Sequence, residues 1–277
     1  SAKVLLTGDG GDDIFLGYPR HLRYLRMQDA ARFIPVAAGP VWQGIRKVWP
    51  RYGVMRRAGH ALDYLLGGLG GVLSATPGLP ALAAAGALGD RLRSVCVPAR
   101  TIPWSVRAGR NLLTDYLAYD REHQFVAEYM TKVDGATMYW SLEARSPFLD
   151  TDLWEWGSSL PYRVRLHGGQ LKSILREIAR RRISERVAAG RKRGFTIPVE
   201  QWIAGPWSGT ARELLTDSLV ARAGWLDRSA LMRMLDRSIA SGVAPTVLWH
   251  ALVLEAWLRH AASETSVRRH LVASGAP

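Results

Sequence analysis

The sequence is poor in cysteine, in acidic residues and in metal-binding spacings, and each shortage removes a class of protein. Its one cysteine, Cys96, excludes an internal disulfide framework and fits a reducing, cytoplasmic setting. The histidines at 21, 60, 123, 167, 250, 260 and 270 are scattered, with no HExxH or Cys/His ligand spacing for zinc. Acidic residues number 24 against 37 Lys and Arg, a formal charge of +13, which favours anionic partners such as a nucleotide, nucleic acid or anionic lipid. The first residues lack a basic segment followed by an apolar one, so no export signal is expected. The longest charge-free run, Tyr64 to Gly89, is long enough to cross a bilayer, but seven glycines with Pro77 and Pro80 break it. No membrane span is expected.

What is present is a globular chain of 277 residues, 48% hydrophobic, with 11 Trp, 9 Tyr and 5 Phe, enough for one large domain or two modest ones. The apolar run Val4 to Leu6 meets a glycine- and aspartate-rich turn and reads as a buried strand ending in a loop. A helix is expected from about Tyr18 to Met27. From Ile34 to Arg100 the pattern is irregular, with prolines punctuating short apolar helices; the GGLGG run at Gly67 lacks the lysine of a phosphate loop and reads as a helix breaker. From Asn111 to Leu142 apolar residues recur at three and four positions, which predicts two amphipathic helices, and Ser146-Pro147 then forces an extended or turning backbone. Further helices are predicted over Leu171 to Ala179, Thr210 to Val220, Arg228 to Ile239 and Val247 to Ala262.

Three segments carry candidate chemistry. TGDGGDD, Thr7 to Asp13, puts three carboxylates at the end of a strand. It fits either a nucleotide loop whose Asp oxygens hold Mg²⁺ or a plain turn in which Asp12 or Asp13 caps the next helix. Between Arg163 and Arg193 eleven basic residues face two acidic ones. Lys172 and Arg176, one helical turn apart, suit one phosphate group, and RKRGF at Arg191 adds a cationic loop. A solvated basic face and a polynucleotide footprint are the alternatives, the latter lacking interleaved aromatics over Arg180 to Val187. The third segment, KVDGATMYWSLEARSPFLD from Lys132, reads as a helix packing Val133, Met138 and Leu142, then a proline turn, with Glu143 and Arg145 as an ion pair.

Taken in order, these segments resemble the synthetase domain of the glutamine-hydrolysing asparagine synthetase family. Its S/T-G-[DE]-G-[GS]-D-E and F-x-G-Y stand here as TGDGGDD and IFLGY, and its K-V-D-R-x-S-M-x-x-S-L-E-x-R-x-P-F-L-D as the Lys132 segment. Its G-x-x-K-x-x-L-R, R-x-K-x-G-F-x-x-P and closing W-x-x-L-x-L-E-x-W-L-R appear as GGQLKSILR, GRKRGFTIP and Trp249 to Arg259. The resemblance implies an α/β fold: the C-terminal, predominantly helical part of an ATP-pyrophosphatase-type (adenine nucleotide α-hydrolase-like) synthetase domain, with only the last strands of its parallel sheet. It further implies one such fragment over residues 1–277, with strand and nucleotide loop in 1–25, a helical insert in 26–104 and the helical core in 105–277.

The reaction implied is ATP-dependent amide formation: a carboxylate attacks the α-phosphate, pyrophosphate leaves, and an amine displaces AMP from the acyl-adenylate. Carried over by position, Thr7, Gly8 and Gly10 meet ATP, Asp12 holds Mg²⁺, Asp9 lies beside the reacting acyl group, and Lys172 and Lys192 stand near the phosphates, Lys192 stabilising the adenylation transition state. The family's S-G-G-x-D-S pyrophosphate loop and its glutaminase domain are not in these residues, so the expected partners are a small-molecule or peptide carboxylate and the upstream half or glutaminase domain of the same enzyme, with a homodimer also open. By itself the chain is expected not to turn over ATP productively. Gly135 and Gly190 stand where the family usually has Arg, Asp13 where it has Glu, and Leu16 where it has Gly. These departures open two alternatives, a lactam-forming relative such as a lasso-peptide cyclase or β-lactam synthetase, and a non-catalytic anion- or nucleic-acid-binding protein on a degenerate scaffold.

Overall fold

A computed structural model describes residues 3–50, 53–74, 79–94, 104–191 and 197–273. The chain folds as two compact units, one of residues 1–75 and 101–193, the other of residues 76–100 and 194–277. Cys96 lies outside the described residues. Among the described residues no helix is long and apolar enough to cross a membrane.

The first unit is helical around a two-stranded parallel sheet, β1 (Val4–Leu6) pairing with β2 (Glu143–Arg145) in the register Val4 to Glu143, Leu5 to Ala144 and Leu6 to Arg145. β1 was expected to be buried, and the structure corrects this: Val4, Leu5 and Leu6 are 43%, 46% and 73% exposed. The apolar run encodes the strand, but burial of a parallel strand requires layers on both faces, and a sheet of two three-residue strands does not have them here. The Pro19–Ala31 helix opens with proline at its first position and buries Tyr24, Leu25, Gln28 and Ala31 at helical spacing. Tyr24 and Leu25 pack in one core with Leu16, Leu69, Val72, Leu112, Leu113 and Leu166. The Gln28 side chain accepts a 3.0 Å hydrogen bond from the Leu113 amide, satisfying a polar group in this core.

The glycine run does break a helix. Within Gly53–Ser74 the helical path is interrupted at Gly68, with φ 58° and ψ −142°, and a Cβ on Gly71 would sit 1.9 Å from the Asp63 carbonyl oxygen, so only glycine lets the two halves approach. Farther on, the two helices expected between Asn111 and Leu142 form one continuous rod: Leu112–Tyr119, a π-helix over Asp120–Met130, and Thr131–Met138. Its last part packs less than expected. Met138 is 54% exposed, and no residue of Thr131–Met138 is buried, because the rod there lies beside the open sheet.

In the second unit, Ser208–Thr216, Leu219–Arg222, Arg228–Ser241 and Thr246–Ala273 supply the core, with Leu215, Leu231, Leu235 and Leu248 almost fully buried. Gly242, at φ 76°, ends the third helix. The carboxylate of Glu255 is buried on the last helix and accepts hydrogen bonds from Ser218 Oγ (2.7 Å), the Leu219 and Val220 amides (2.9 and 3.0 Å) and Arg259 Nε (2.8 Å). It thereby satisfies amides at the start of the Leu219 turn, which have no partner within that turn. Burial pushes its pKa up, and the bonds from Arg259, Leu219, Val220 and Ser218 outweigh this, leaving it below the usual glutamate range. Glu255→Ala is expected to cost about 3 kcal/mol in urea unfolding at pH 7, because it leaves the Ser218 hydroxyl and the Leu219 and Val220 amides without their buried acceptor, while Arg259 keeps the Leu214 and Asp217 carbonyls. A depressed carboxyl pKa stabilises above the unfolded value and loses that contribution as pH falls through the folded one, so the gap between wild type and variant should narrow in acid.

Candidate active site

The first turn after β1 is fixed by backbone. The Thr7 amide donates to the Arg145 carbonyl (2.9 Å), extending the strand pairing by one rung, and the chain then turns at Gly10, φ 81°, into the short helix Gly11–Ile14. A Cβ on Gly10 would lie 2.5 Å from Leu149 Cδ2, so this glycine serves both the left-handed turn and the close approach of the Pro147–Leu149 segment. Gly8, by contrast, faces open space. The reading of this loop as a helix cap is corrected: Gly10 holds the cap position and neither Asp12 nor Asp13 makes a side-chain capping bond.

Each carboxylate has a different environment. Asp9 accepts from Thr7 Oγ1 at 2.7 Å on one oxygen and from Tyr129 Oη at 2.6 Å on the other, while Ser146 Oγ donates to its main-chain carbonyl at 2.5 Å. Asp12 forms a 2.7 Å ion pair with Lys172 Nζ. Gly17 packs directly on Asp12: its amide donates to the Asp12 carbonyl at 2.6 Å, and a Cβ there would collide with Oδ1. Asp13 is pushed up to about 7, first by burial and then by the charges of Asp120 and Asp12. Beside it lies a 170 Å³ cavity lined by Asp13, Asp120, Arg121, Phe125, Trp154, Tyr162 and Arg165 among others. Asp120, at its edge, is buried and accepts from Tyr116 Oη at 2.8 Å.

Of the residues singled out from sequence, the structure brings Thr7, Asp9, Asp12 and Lys172 together. Arg176 does not join Lys172 against a phosphate, as its spacing suggested. Lys172 is the left-handed residue before the Ser173–Arg182 helix and turns to Asp12, whereas Arg176 donates to the Leu171 and Ala188 carbonyls. Other cations of the basic window are likewise engaged: Arg163 with Asp29, Arg165 with the Ile14 carbonyl, Arg180 with Glu177 and Glu185, Arg181 with Glu177. The expected Glu143–Arg145 pair forms at 2.9 Å, fully at the surface. Lys192, with residues 192–196, lies outside the described residues. Sequence reasoning missed Tyr129, Ser146 and Asp120. Ser146 stood inside a quoted motif without a role, and Tyr129 carried only a helical spacing signal.

The aspartate loop also packs near buried His21, whose ring nitrogens have no hydrogen-bond partner and whose pKa is lowered to about 3, by burial first and Arg20 second. Asp13 and His21 give opposite pH dependences. A carboxyl raised to about 7 stabilises fully below its unfolded pKa and loses that contribution as pH rises through 7; a histidine lowered to about 3 loses stability as pH falls below its unfolded 6.5. Asp13→Asn is therefore expected to be more stable than wild type by about 2 kcal/mol at pH 8 in EDTA, with the difference shrinking toward pH 4 in thermal unfolding.

The model of the family described as Asparagine synthase matches residues 1–259. Asparagine synthetase [glutamine-hydrolyzing] 1 of Bacillus subtilis is 25% identical over 131 residues, 47% of this chain and 20% of that protein. A putative asparagine synthetase [glutamine-hydrolyzing] of Mycobacterium bovis is 32% identical over 133 residues, again 47% of this chain and 20% of its own length, and one of Mycobacterium tuberculosis matches equally. The chain thus spans about a fifth of the length of the curated relatives it matches. No solved structure gave a significant match. The match runs from the aspartate loop through Lys172 and on past Glu255, and the chain belongs to the asparagine synthase family.

Proposed function

We propose that this chain is the C-terminal part of an ATP-pyrophosphatase-type synthetase domain and contributes one wall of a site for ATP-dependent amide formation. The reaction is of asparagine synthetase type: a carboxylate, aspartate in the first instance, is adenylated with loss of pyrophosphate, and an amine derived from glutamine displaces AMP. The observation that carries this is the convergence of Asp9, Asp12 and Lys172, two family motifs 160 residues apart in sequence meeting in a 2.7 Å ion pair. Cytoplasmic placement, the pyrophosphate loop and the glutaminase domain belong to the same proposal, the last two being contributed by the remainder of the enzyme.

Within that reading Thr7, Gly8 and Gly10 form the nucleotide-facing turn. Gly8 suits it best, since nothing lies within 4 Å of where its side chain would project. Asp9 stands beside the acyl group with its rotamer set by Thr7 and Tyr129. For Mg²⁺ the donor chemistry is appropriate but minimal: Asp12 offers a hard oxygen, and among the described residues no group of three or more His, Cys, Asp or Glu side chains is arranged to hold a metal. Mg²⁺ is ordinarily held by one or two carboxylates together with substrate phosphates, so Asp12 fits as one ligand of a shared site. When bound there, the ion neutralises charge on the phosphates as pyrophosphate leaves. Lys172 keeps the Asp12 carboxylate compensated and, with Lys192, supplies positive charge on the phosphate side. A polynucleotide role draws less support, because Arg163, Arg165, Arg176, Arg180 and Arg181 are engaged within the protein.

The test is ATP–pyrophosphate exchange on the chain isolated with everything that co-purifies from its native source, first with aspartate and then with other carboxylates, including a peptide. Exchange is expected with one of them, and Asp9→Asn or Lys172→Ala should lower its rate about 10²–10³-fold. Aspartate dependence identifies the asparagine-forming reaction, and dependence on a peptide carboxylate a lactam-forming one. No exchange with any carboxylate overturns the proposal.

A further inference from the structure

We propose that Tyr129 is a positioning residue for Asp9 and that the π-helical stretch Asp120–Met130 is the device that places it. The inference deepens the proposed function, resting on it for the role of Asp9. π-Helices, closed by i→i+5 bonds, usually occur as single-turn bulges inside α-helices, often at functional sites. Here the stretch is 11 residues long, and both flanking residues, Tyr119 and Thr131, keep α-helical dihedrals, so the chain enters and leaves it without a break. Thr131 Oγ1 reaches the carbonyl of Val126, five residues back, at 3.3 Å. Ring contacts run along the same stretch: Tyr119 on His123 at 4.4 Å, Phe125 on Tyr129 at 6.0 Å, and Phe125 on Trp154 at 5.7 Å between centroids.

The two ends of the stretch are tied to different parts of the unit. At its start Asp120 is buried, accepts from Tyr116 one turn back on the same rod, and pairs with Arg20 of the Pro19–Ala31 helix at 3.9 Å. Near its end Tyr129, 37% exposed, donates to Asp9 Oδ1 at 2.6 Å across 120 residues of sequence. Because a π-helix turns less per residue than an α-helix, an α-helical path from the same Asp120 anchor would carry Tyr129 round to another face. The register is thus what delivers the phenol to the aspartate loop. With Thr7 on the other oxygen, Asp9 is left one orientation. A phenol suits the task because it donates without neutralising: its pKa is pushed up to about 12, by the Asp9 hydrogen bond first, then burial, then the charges of Asp9, Asp13 and Asp12. Lys132 lies over its ring at 4.8 Å and is the one cation the structure places directly against it among the described residues.

The experiment uses the full chain labelled with ¹³Cζ-tyrosine, the Tyr129 signal being assigned by its loss in Tyr129→Phe. Asp9→Ala should lower the Tyr129 titration by about one pH unit or more. Deletion of Glu128, an exposed residue of the π stretch, restores one step of α-helical register and should lower it similarly while circular dichroism stays helical. An unmoved titration in Asp9→Ala overturns the hydrogen bond, and an unmoved titration in a folded deletion variant overturns the role of the π register. In the exchange-competent enzyme, Tyr129→Phe should reduce kcat about 10- to 100-fold with little change in KM for ATP; a change confined to thermal stability would show a structural role and refute positioning. If the native enzyme exchanges no pyrophosphate, the proposed function fails while the titrations still decide the placement of Tyr129.

Discussion

Three residues of parallel pairing organise the first unit. Val4, Leu5 and Leu6 lie against Glu143, Ala144 and Arg145, and parallel strands cannot be joined by a tight turn, so everything between them is an extended crossover. The pairing also sets the position of the segment leaving each strand. Past β1 the chain becomes the aspartate loop; past β2 it becomes Ser146 and the Pro147–Leu149 turn. Thr7 bonds to Arg145 and Ser146 to the Asp9 carbonyl, so two segments 137 residues apart in sequence are locked at the strands' carboxyl ends. That is where open α/β sheets bind ligands, and the loop owes its place to the register of a very short sheet.

Electrostatics then decides what the loop can be. Three carboxylates within five residues repel one another, and the protein offsets each differently. Asp9 is given two hydroxyl donors, Asp12 an ammonium, and Asp13 neither of these, which is why burial and its neighbours drive Asp13 up to about 7. The arrangement holds Asp9 in one orientation, and it leaves Asp12 joined to a countercharge on a lysine whose side chain is 28% exposed and can exchange partners. A basic window that looks from composition like a broad phosphate-binding face narrows, among the described residues, to Lys172 for this loop, because carbonyls and carboxylates take up Arg163, Arg165, Arg176, Arg180 and Arg181.

How much was legible in the sequence depends on how local each signal is. The turn at the end of β1, Ser146-Pro147, the Glu143–Arg145 pair and the break at the glycine run are set by adjacent residues, and they read correctly, whereas the Asp12 or Asp13 cap did not form. The exposure of β1 and the bare end of the Thr131–Met138 helix depend on which layers cover them, which no window of sequence reports. Arg176 illustrates the limit for charges: its helical spacing from Lys172 is real, but the left-handed dihedral of Lys172 breaks the shared face that spacing implies. The π-helix was invisible for a similar reason. Apolar residues at three and four positions look the same in sequence whether the hydrogen bonds close over four residues or five.

Backbone strain ties these observations together. Among the described residues, the non-glycine residues with positive φ are Leu16, Ser141 and Lys172, and all three border the loop or the strands that carry it. Each costs about 1–2 kcal/mol in the left-handed region and persists only where its surroundings compensate. Ser141 ends the long rod just before β2, turning it into the sheet. Lys172 could be relieved by glycine only by giving up the ammonium that meets Asp12. Leu16 stands where the family pattern has glycine, and the dihedral explains that preference; its side chain, with no exposed surface, fills the core beside Tyr24 and Leu112, so removing the strain would open a cavity of leucine size. The cost of a large-to-small change in a core exceeds the relief of one left-handed residue, which is how a leucine is held where the backbone asks for glycine, directly after the loop whose geometry it helps to fix.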